Sequence, residues 1–199
     1  MKNYASCSDE ALALLYIEGD NGAFDELLAR NQQKLFTYIM VVVRDPELAN
    51  DVFQETFVKV ISRLQEGKYT DCGKFSFWLT RIAHNVIMDT FRHQKAQHLV
   101  EPGEDNDLSN LRGDSVMDLN RENEYVNEQI MADVQRLMNA LPAPQREVVY
   151  MRYFQDLSFK EIAEITNVSI NTSLGRMRYA LINLRRMAKK HNIQLSLEG

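Results

Sequence analysis

Apolar residues recur at helical spacing along nearly all of this 199-residue chain, and the pattern lapses in one long stretch. From about residue 97 to residue 120 the periodicity is lost. Pro102, Gly103 and Gly113 fall there, with Asp105, Asp107, Asp114 and Asp118 among them. Such a composition does not assemble a core and reads as a flexible acidic linker. On either side the period stays near 3.6 residues, and neither a strand pair nor an internal repeat is visible. The expected fold is therefore all-α: two small helical domains, residues 1–96 and 124–199, joined by a linker at 97–123. Hydrophobic residues make up 45% of the chain, enough for each domain to bury a core.

In the first domain, Ser8 can cap a helix that ends near Gly19. A second helix should run from about Gly22 to Val43, with Phe24, Leu27, Leu28, Leu35 and Ile39 facing the core. Asp45 followed by Pro46 is a start signal, an N-cap and then proline at the first helical position, and the helix should reach about Leu64. Residues 65–73 contain Gly67, Asp71 and Gly73 and read as a loop. Phe75, Trp78, Leu79, Ile82, Ala83, Val86, Ile87 and Phe91 then follow the i, i+3, i+4, i+7 rule closely. That assigns Trp78 to the core.

The second domain carries a helix-turn-helix pattern at residues 157–186. Ser158 and Glu161 make a capping box. Asn167 tolerates the positive φ of a tight turn. Val168 can plug the corner and Ser169 can cap the helix that follows. That helix bears Arg176, Arg178, Arg185, Arg186, Lys189 and Lys190. A short helix, a tight turn and a basic second helix form a DNA-reading module. The domain is expected to be winged-helix-like.

Charge is unevenly distributed. Residues 57–100 carry seven Lys/Arg against three Asp/Glu, residues 101–128 two against nine, and residues 169–199 six against one. The whole chain has a net charge of −5. Overall repulsion opposes strong unaided DNA binding, so two basic blocks around an acidic spacer suit a subunit of a larger assembly. Cys7 and Cys72 lack metal or redox spacing and read as free thiols in a reducing compartment. Residues 1–18 lack the long apolar core of a signal peptide, and the apolar run at 39–43 is far too short to span a bilayer. Direct membrane insertion is thus not expected. His84, His93, His98 and His191 make no zinc pattern; Asp89 and His93 share a face without an evident third ligand. With no nucleotide-binding loop or nucleophile–base pair, the expectation is a protein without catalytic residues, metal or cofactor.

The helix opened by Asp45 has an unusual face. Asp51, Gln54, Glu55 and Val58 lie at i, i+3, i+4 and i+7 and share a stripe, while Val52, Phe53, Phe57, Val60 and Leu64 can serve the core. The segment from Asp51 to Val60, DVFQETFVKV, resembles the polymerase-binding motif of bacterial sigma factors. The resemblance continues from Lys74 to Asn85, KFSFWLTRIAHN, which is similar to the promoter-melting and minus-ten-reading helix. It resumes from Leu141 to Arg186, which is similar to the minus-thirty-five-reading domain. The matches follow the family's order and spacing. Without a further domain between them, they point to the compact extracytoplasmic-function class of the sigma-70 family.

This resemblance implies a cytoplasmic bacterial initiation factor. Its partners would be core RNA polymerase, through the clamp helices of the largest subunit and the beta flap, and promoter DNA, with an anti-sigma factor as a further candidate. Asp51, Gln54, Glu55 and Val58 would dock on the clamp helices, where carboxylates suit an arginine-rich partner. Tyr69, Lys74, Phe77, Arg81, Asn85 and Arg92 are the candidates for minus-ten DNA. The aromatic rings would stack on an unpaired base, since flipped bases are read that way. Asn171, Thr172, Ser173, Arg176, Arg178 and Tyr179 are the candidates for minus-thirty-five DNA.

The recognition helix departs from the common family pattern. Ser173 stands where an apolar residue is usual, and Leu174 where a basic one often is. By spacing alone Ile170, Leu174, Met177, Leu181 and Leu184 form a buried stripe, which leaves the orientation of the helix open. Two other readings compete with a sigma factor. An autonomous helix-turn-helix regulator would bind promoters tightly without polymerase. A sigma-mimicking protein would bind an anti-sigma factor but start no transcripts.

Overall fold

The computed structural model describes residues 4–69, 73–98 and 136–190. The chain divides into two compact units, residues 1–113 and 114–199. Apart from residues 97–98, the linker expected at 97–123 lies outside the described residues, as does His191. Among the described residues every regular element is a helix. No strand is found there, and so no wing beside the helix-turn-helix.

The first unit contains α1 (Asp9–Ile17), α2 (Asn21–Val43), α3 (Pro46–Gln65) and α4 (Phe75–His98). Helix α2 packs on α1, α3 and α4, and α3 packs on α4. Local chemistry explains where these helices begin and end. Ser8 Oγ accepts from Ala11 N at 3.2 Å, and Asp45 Oδ1 accepts from Leu48 N at 3.0 Å, so both expected N-caps form. Arg44, with φ of 62°, turns out of α2 in the left-handed conformation and donates its N–H to Met40 O.

Leu12, Leu27, Leu35, Ile39, Leu64, Phe75, Ile82 and Ile87 are buried at the centre of this unit. Fully burying one such side chain is worth about 1.5–3 kcal/mol. Phe24 and Leu28, expected in the core, are half-buried. Phe24 packs on Tyr16 with ring centroids 4.7 Å apart. Arg30 ties the N-terminal segment down, donating to Cys7 O at 2.7 Å and Tyr4 O at 2.8 Å while pairing with Glu26 at 2.7 Å. Its guanidinium is held above the usual arginine range, first by the hydrogen bond to Glu26 and also by Asp9. Gly22 makes room for this segment, since a Cβ there would stand 2.7 Å from the Tyr4 hydroxyl.

The second unit contains α5 (Ala143–Tyr153), α6 (Phe159–Ile165) and α7 (Ile170–Lys190), with α7 packed on both of the others. Leu137, Leu141, Val148, Met151, Leu157, Ile162 and Ile165 form its core. Arg146 is buried and donates to Leu141 O at 2.9 Å, and Asn183 donates to Gln145 Oε1 at 2.9 Å, linking α7 to α5.

Candidate functional site

Two faces of the first unit and one of the second carry the candidate residues. On α3 the inner line is Ala49, Val52, Thr56, Val60 and Leu64, all buried. The Thr56 hydroxyl donates to Val52 O at 2.7 Å, which satisfies a polar group the sequence does not mark as internal. Phe53 and Phe57 are half-buried and pack edge to face, with Phe53 also against Phe36. Asp51, Gln54, Glu55 and Val58 all point away from this core and are exposed. Val58 is 62% exposed, an apolar side chain amid acid and amide groups on a solvent-facing stripe. Glu55 pairs with Lys59 at 2.7 Å along the same helix. Below Val58 a shallow groove of about 360 Å³ is lined by Lys59, Ser62, Arg63, Glu66 and Lys68.

The loop between α3 and α4 does not present its aromatics. Tyr69 is 7% exposed, with its ring 5.0 Å from Trp78 and 6.0 Å from Phe75. Phe77 is 9% exposed. Both were candidates for stacking on a base, and both instead pack within the protein in this arrangement. Trp78 joins the same cluster, 5.6 Å from Phe75, but is half-buried rather than in the core that its place in the apolar stripe suggested. Lys74 is exposed at the start of α4, and residues 70–72 lie outside the described residues.

Along α4, Phe75, Leu79, Ile82, Ala83, Val86 and Ile87 face inward. Arg81, Asn85 and Arg92 are exposed on the other side, with Met88 half-buried between them. Arg92 pairs with Asp89 at 2.9 Å. That pair is solvent-exposed and weak enough for a phosphate to compete with it. His84 is buried, its Nδ1 3.2 Å from the Tyr38 hydroxyl, a position inside the helical bundle rather than on a binding face.

One group that positions α4 has no local sequence signal. Glu10 Oε1, on α1, accepts from Phe75 N at 2.8 Å and so caps the start of α4. Burial alone would raise its pKa. The hydrogen bonds from Phe75 N, from its own backbone and from Ser8 outweigh that and hold the carboxyl below its usual range.

The helix-turn-helix forms as its capping pattern dictates. Ser158 N donates to Glu161 Oε2 at 2.6 Å and Glu161 N donates to Ser158 Oγ at 3.3 Å, closing the capping box. Asn167 takes φ of 52° in the turn. Ser169 Oγ accepts from Thr172 N at 3.0 Å and opens α7. The rotation of α7 differs from the spacing-based expectation. Of the expected stripe Met177 is buried, Leu181 and Leu184 are half-buried and Ile170 and Leu174 are exposed, while Ser173, Ala180 and Ala188 complete the inner line. Small residues on the inner line let α7 lie close to α5 and α6, and that turns the larger Ile170 and Leu174 outward. Ser173, a candidate base reader, is fully buried and reaches no base. Asn171, Thr172, Arg178 and Tyr179 are exposed and Arg176 is half-buried. The Thr172 hydroxyl lies 2.8 Å from Ser169 Oγ and is partly engaged there.

Among the described residues no helix is long and apolar enough to cross a membrane, and no cluster of metal-binding side chains occurs. Asp89, which could have joined His93, faces Arg92 instead.

Two family models match the chain, sigma-70 region 2 at residues 27–97 and sigma-70 region 4 at residues 131–175. The RNA polymerase sigma-H factor of Pseudomonas aeruginosa is 30% identical over 174 residues, covering 85% of this chain and 88% of that protein. The extracytoplasmic-function sigma factor SigW of Bacillus subtilis is 25% identical over 177 residues, covering 86% of this chain and 92% of its own. Among solved structures, the sigma factor RpoE of Bartonella quintana, crystallised with the anti-sigma factor NepR, matches with a TM-score of 0.65 at 20% identity. It covers 83% of this chain and 96% of that one. CnrH bound to the cytosolic domain of CnrY matches with a TM-score of 0.61 at 22% identity, over 92% of this chain and 97% of that one.

Proposed function

The chain belongs to the extracytoplasmic-function class of the sigma-70 family, and from that premise we propose how its surfaces divide the work of promoter-specific initiation. As a sigma factor it directs core RNA polymerase to promoters and starts transcription there. Bond formation belongs to the polymerase. In our reading residues 1–96 bind polymerase and open and read the minus-ten element, residues 124–199 read the minus-thirty-five element, and residues 97–123 link them.

The observation that carries this division is the exposed stripe of Asp51, Gln54, Glu55 and Val58 on α3. Its acid and amide groups suit arginines of the polymerase clamp helices, and Val58 adds apolar contact at the C-terminal end of the stripe. Lys74, Arg81, Asn85 and Arg92 would contact minus-ten DNA. Asn171, Thr172, Arg176, Arg178 and Tyr179 would serve the minus-thirty-five element. The beta flap is a second polymerase contact consistent with the family. An anti-sigma protein is a further partner class, supported by the structural neighbour RpoE, solved with the anti-sigma factor NepR. Acting on polymerase and DNA, the protein would work in the bacterial cytoplasm.

Transcription from a genomic fragment library by core polymerase plus the purified chain, with sequencing of RNA starts, tests this reading. Starts sharing two upstream elements are expected. Tight promoter binding by the chain alone, with no added starts, would instead favour an autonomous regulator. Binding to an anti-sigma protein without starts would favour a sigma mimic.

A further inference from the structure

The inner line of α7 fixes its outer one. With Ser173, Met177, Ala180 and Ala188 buried, the line through Asn171, Gly175, Arg178 and Ile182 is furthest from the protein. The N-terminal half of such a helix is the part that reaches base edges in the major groove. Two features of that half stand apart from the buried inner line. Gly175 sits in the helix interior, where glycine is among the least favourable residues. A Cβ added there would meet nothing within 4 Å, so no neighbouring part of the described chain requires its absence. Leu174 and Ile170 are 44% and 46% exposed, one turn apart, beside Asn171 and Arg178.

Leu174 borders that outer line next to Arg178, with Ile170 one turn before it toward the packed side, and an apolar pair at the edge of a face turned to DNA has a specific chemical match. Thymine presents its C5-methyl group in the major groove, and aliphatic side chains read it by contact. A glycine on the central line removes the side chain that would otherwise hold the helix away from the base edges.

We propose that Leu174, with Ile170 one turn before it, reads thymine methyl groups in the upstream promoter element, and that Gly175 lets α7 seat closely enough to make that contact. This rests on the assignment of α7 to the minus-thirty-five element, and it makes thymine a determinant of promoter choice.

The test uses polymerase holoenzyme carrying the full chain, bound to a promoter found by mapping its starts. Each thymine of the upstream element is replaced in turn by deoxyuridine, which removes only the methyl group. At one or two positions binding should fall about fourfold, the worth of one methyl left unburied. Leu174→Ala should bind the normal promoter about fourfold more weakly and be indifferent to deoxyuridine at those positions. Gly175→Ala should raise the melting temperature of the chain while weakening promoter binding. The proposal is overturned if the wild-type holoenzyme is indifferent to deoxyuridine at every position, or if Leu174→Ala keeps the full penalty. Wild-type promoter affinity in a stabilised Gly175→Ala protein would overturn the close seating. Failure of the underlying assignment looks different: no base change of any kind in the upstream element would alter binding.

Discussion

The Glu10 carboxylate on α1 accepts a hydrogen bond from the Phe75 N–H at 2.8 Å, joining the first helix of the N-terminal unit to the first residue of α4. A carboxylate at a helix N-terminus is favoured both by the unpaired N–H groups and by the helix dipole. Glu10 thereby fixes where α4 begins, directly after the loop assigned to the minus-ten element. The depressed pKa of Glu10 gives this contact a sign in pH. A carboxyl held lower in the folded chain than its unfolded value of about 4.3 contributes stability above that value. The contribution is lost as pH falls through the folded value. Wild type should therefore be more stable than Glu10→Gln at pH 7, and the gap should close in acid. Urea titrations at both ends of that range measure it. An equal gap at neutral and acid pH would sink the assignment.

Replacing Asp51, Gln54 and Glu55 together by Ala should abolish co-purification with core polymerase, a loss of at least about tenfold in affinity for removed interface charges. Exposed positions of this kind change stability by only about 0.5 kcal/mol each. Circular dichroism and melting should thus stay near wild type. Val58→Asp should weaken the same binding by placing an unpaired charge in the docking surface. Undiminished polymerase binding by the triple variant would remove α3 from the interface.

Ser158→Ala should destabilise the second unit by about 1 kcal/mol, the ordinary worth of an N-cap. The variant loses the Glu161 N–H bond and leaves Glu161 reaching back to residue 158 alone. Thermal unfolding of the full chain should show the loss, with polymerase affinity through α3 unchanged. Asn167→Val should also destabilise this unit, because a β-branched residue resists the φ of 52° found in the turn.

These caps were legible in the sequence because capping is local: Ser158 and Glu161 are three residues apart, and so are Asp45 and Leu48. The outward stripe of α3 was legible for a related reason, since its inner line is apolar and regularly spaced. The orientation of α7 was not. Its sequence offers two competing apolar lines. Only packing against α5 and α6 selects the one with the small residues Ser173, Ala180 and Ala188. Tyr69 and Phe77 misled for a similar reason. An aromatic in or beside a loop reads alike whether it stacks on a base or is buried in the protein, as Phe77 is and as Tyr69 is against Phe75 and Trp78. The Glu10–Phe75 bond spans 65 positions and has no periodic signature.

Arg92→Ala removes one exposed ion pair with Asp89, so folding stability should change by less than about 1 kcal/mol. If Arg92 meets a phosphate, the variant holoenzyme should bind all promoters more weakly. The slope of log affinity against log salt should fall by roughly one. Affinity titrations at several salt concentrations separate this from a base contact, which would weaken some promoters and spare others. An unchanged salt slope would place Arg92 off the DNA.

Ser173 offers the sharpest contrast between a reading and a packing role. Its side chain is fully buried against the rest of the second unit, and among the described residues its hydroxyl finds no hydrogen-bond partner. A buried hydroxyl left unpaired costs more than it returns, and alanine is the better helix former. Ser173→Ala should therefore stabilise the second unit by about 1 kcal/mol. For a domain of this size that raises the melting temperature by about 4–8 °C. Promoter preference, mapped from RNA starts, should be the same as wild type because no base-facing atom is removed. Ser173→Leu should do the opposite to stability: the inner line admits small residues at Ser173, Ala180 and Ala188, and a larger side chain would force α7 away from its neighbours. A Ser173→Ala protein that keeps its stability but shifts its starts to a different upstream sequence would show that α7 presents Ser173 to DNA, and would overturn the helix rotation on which the assignment of Leu174 depends.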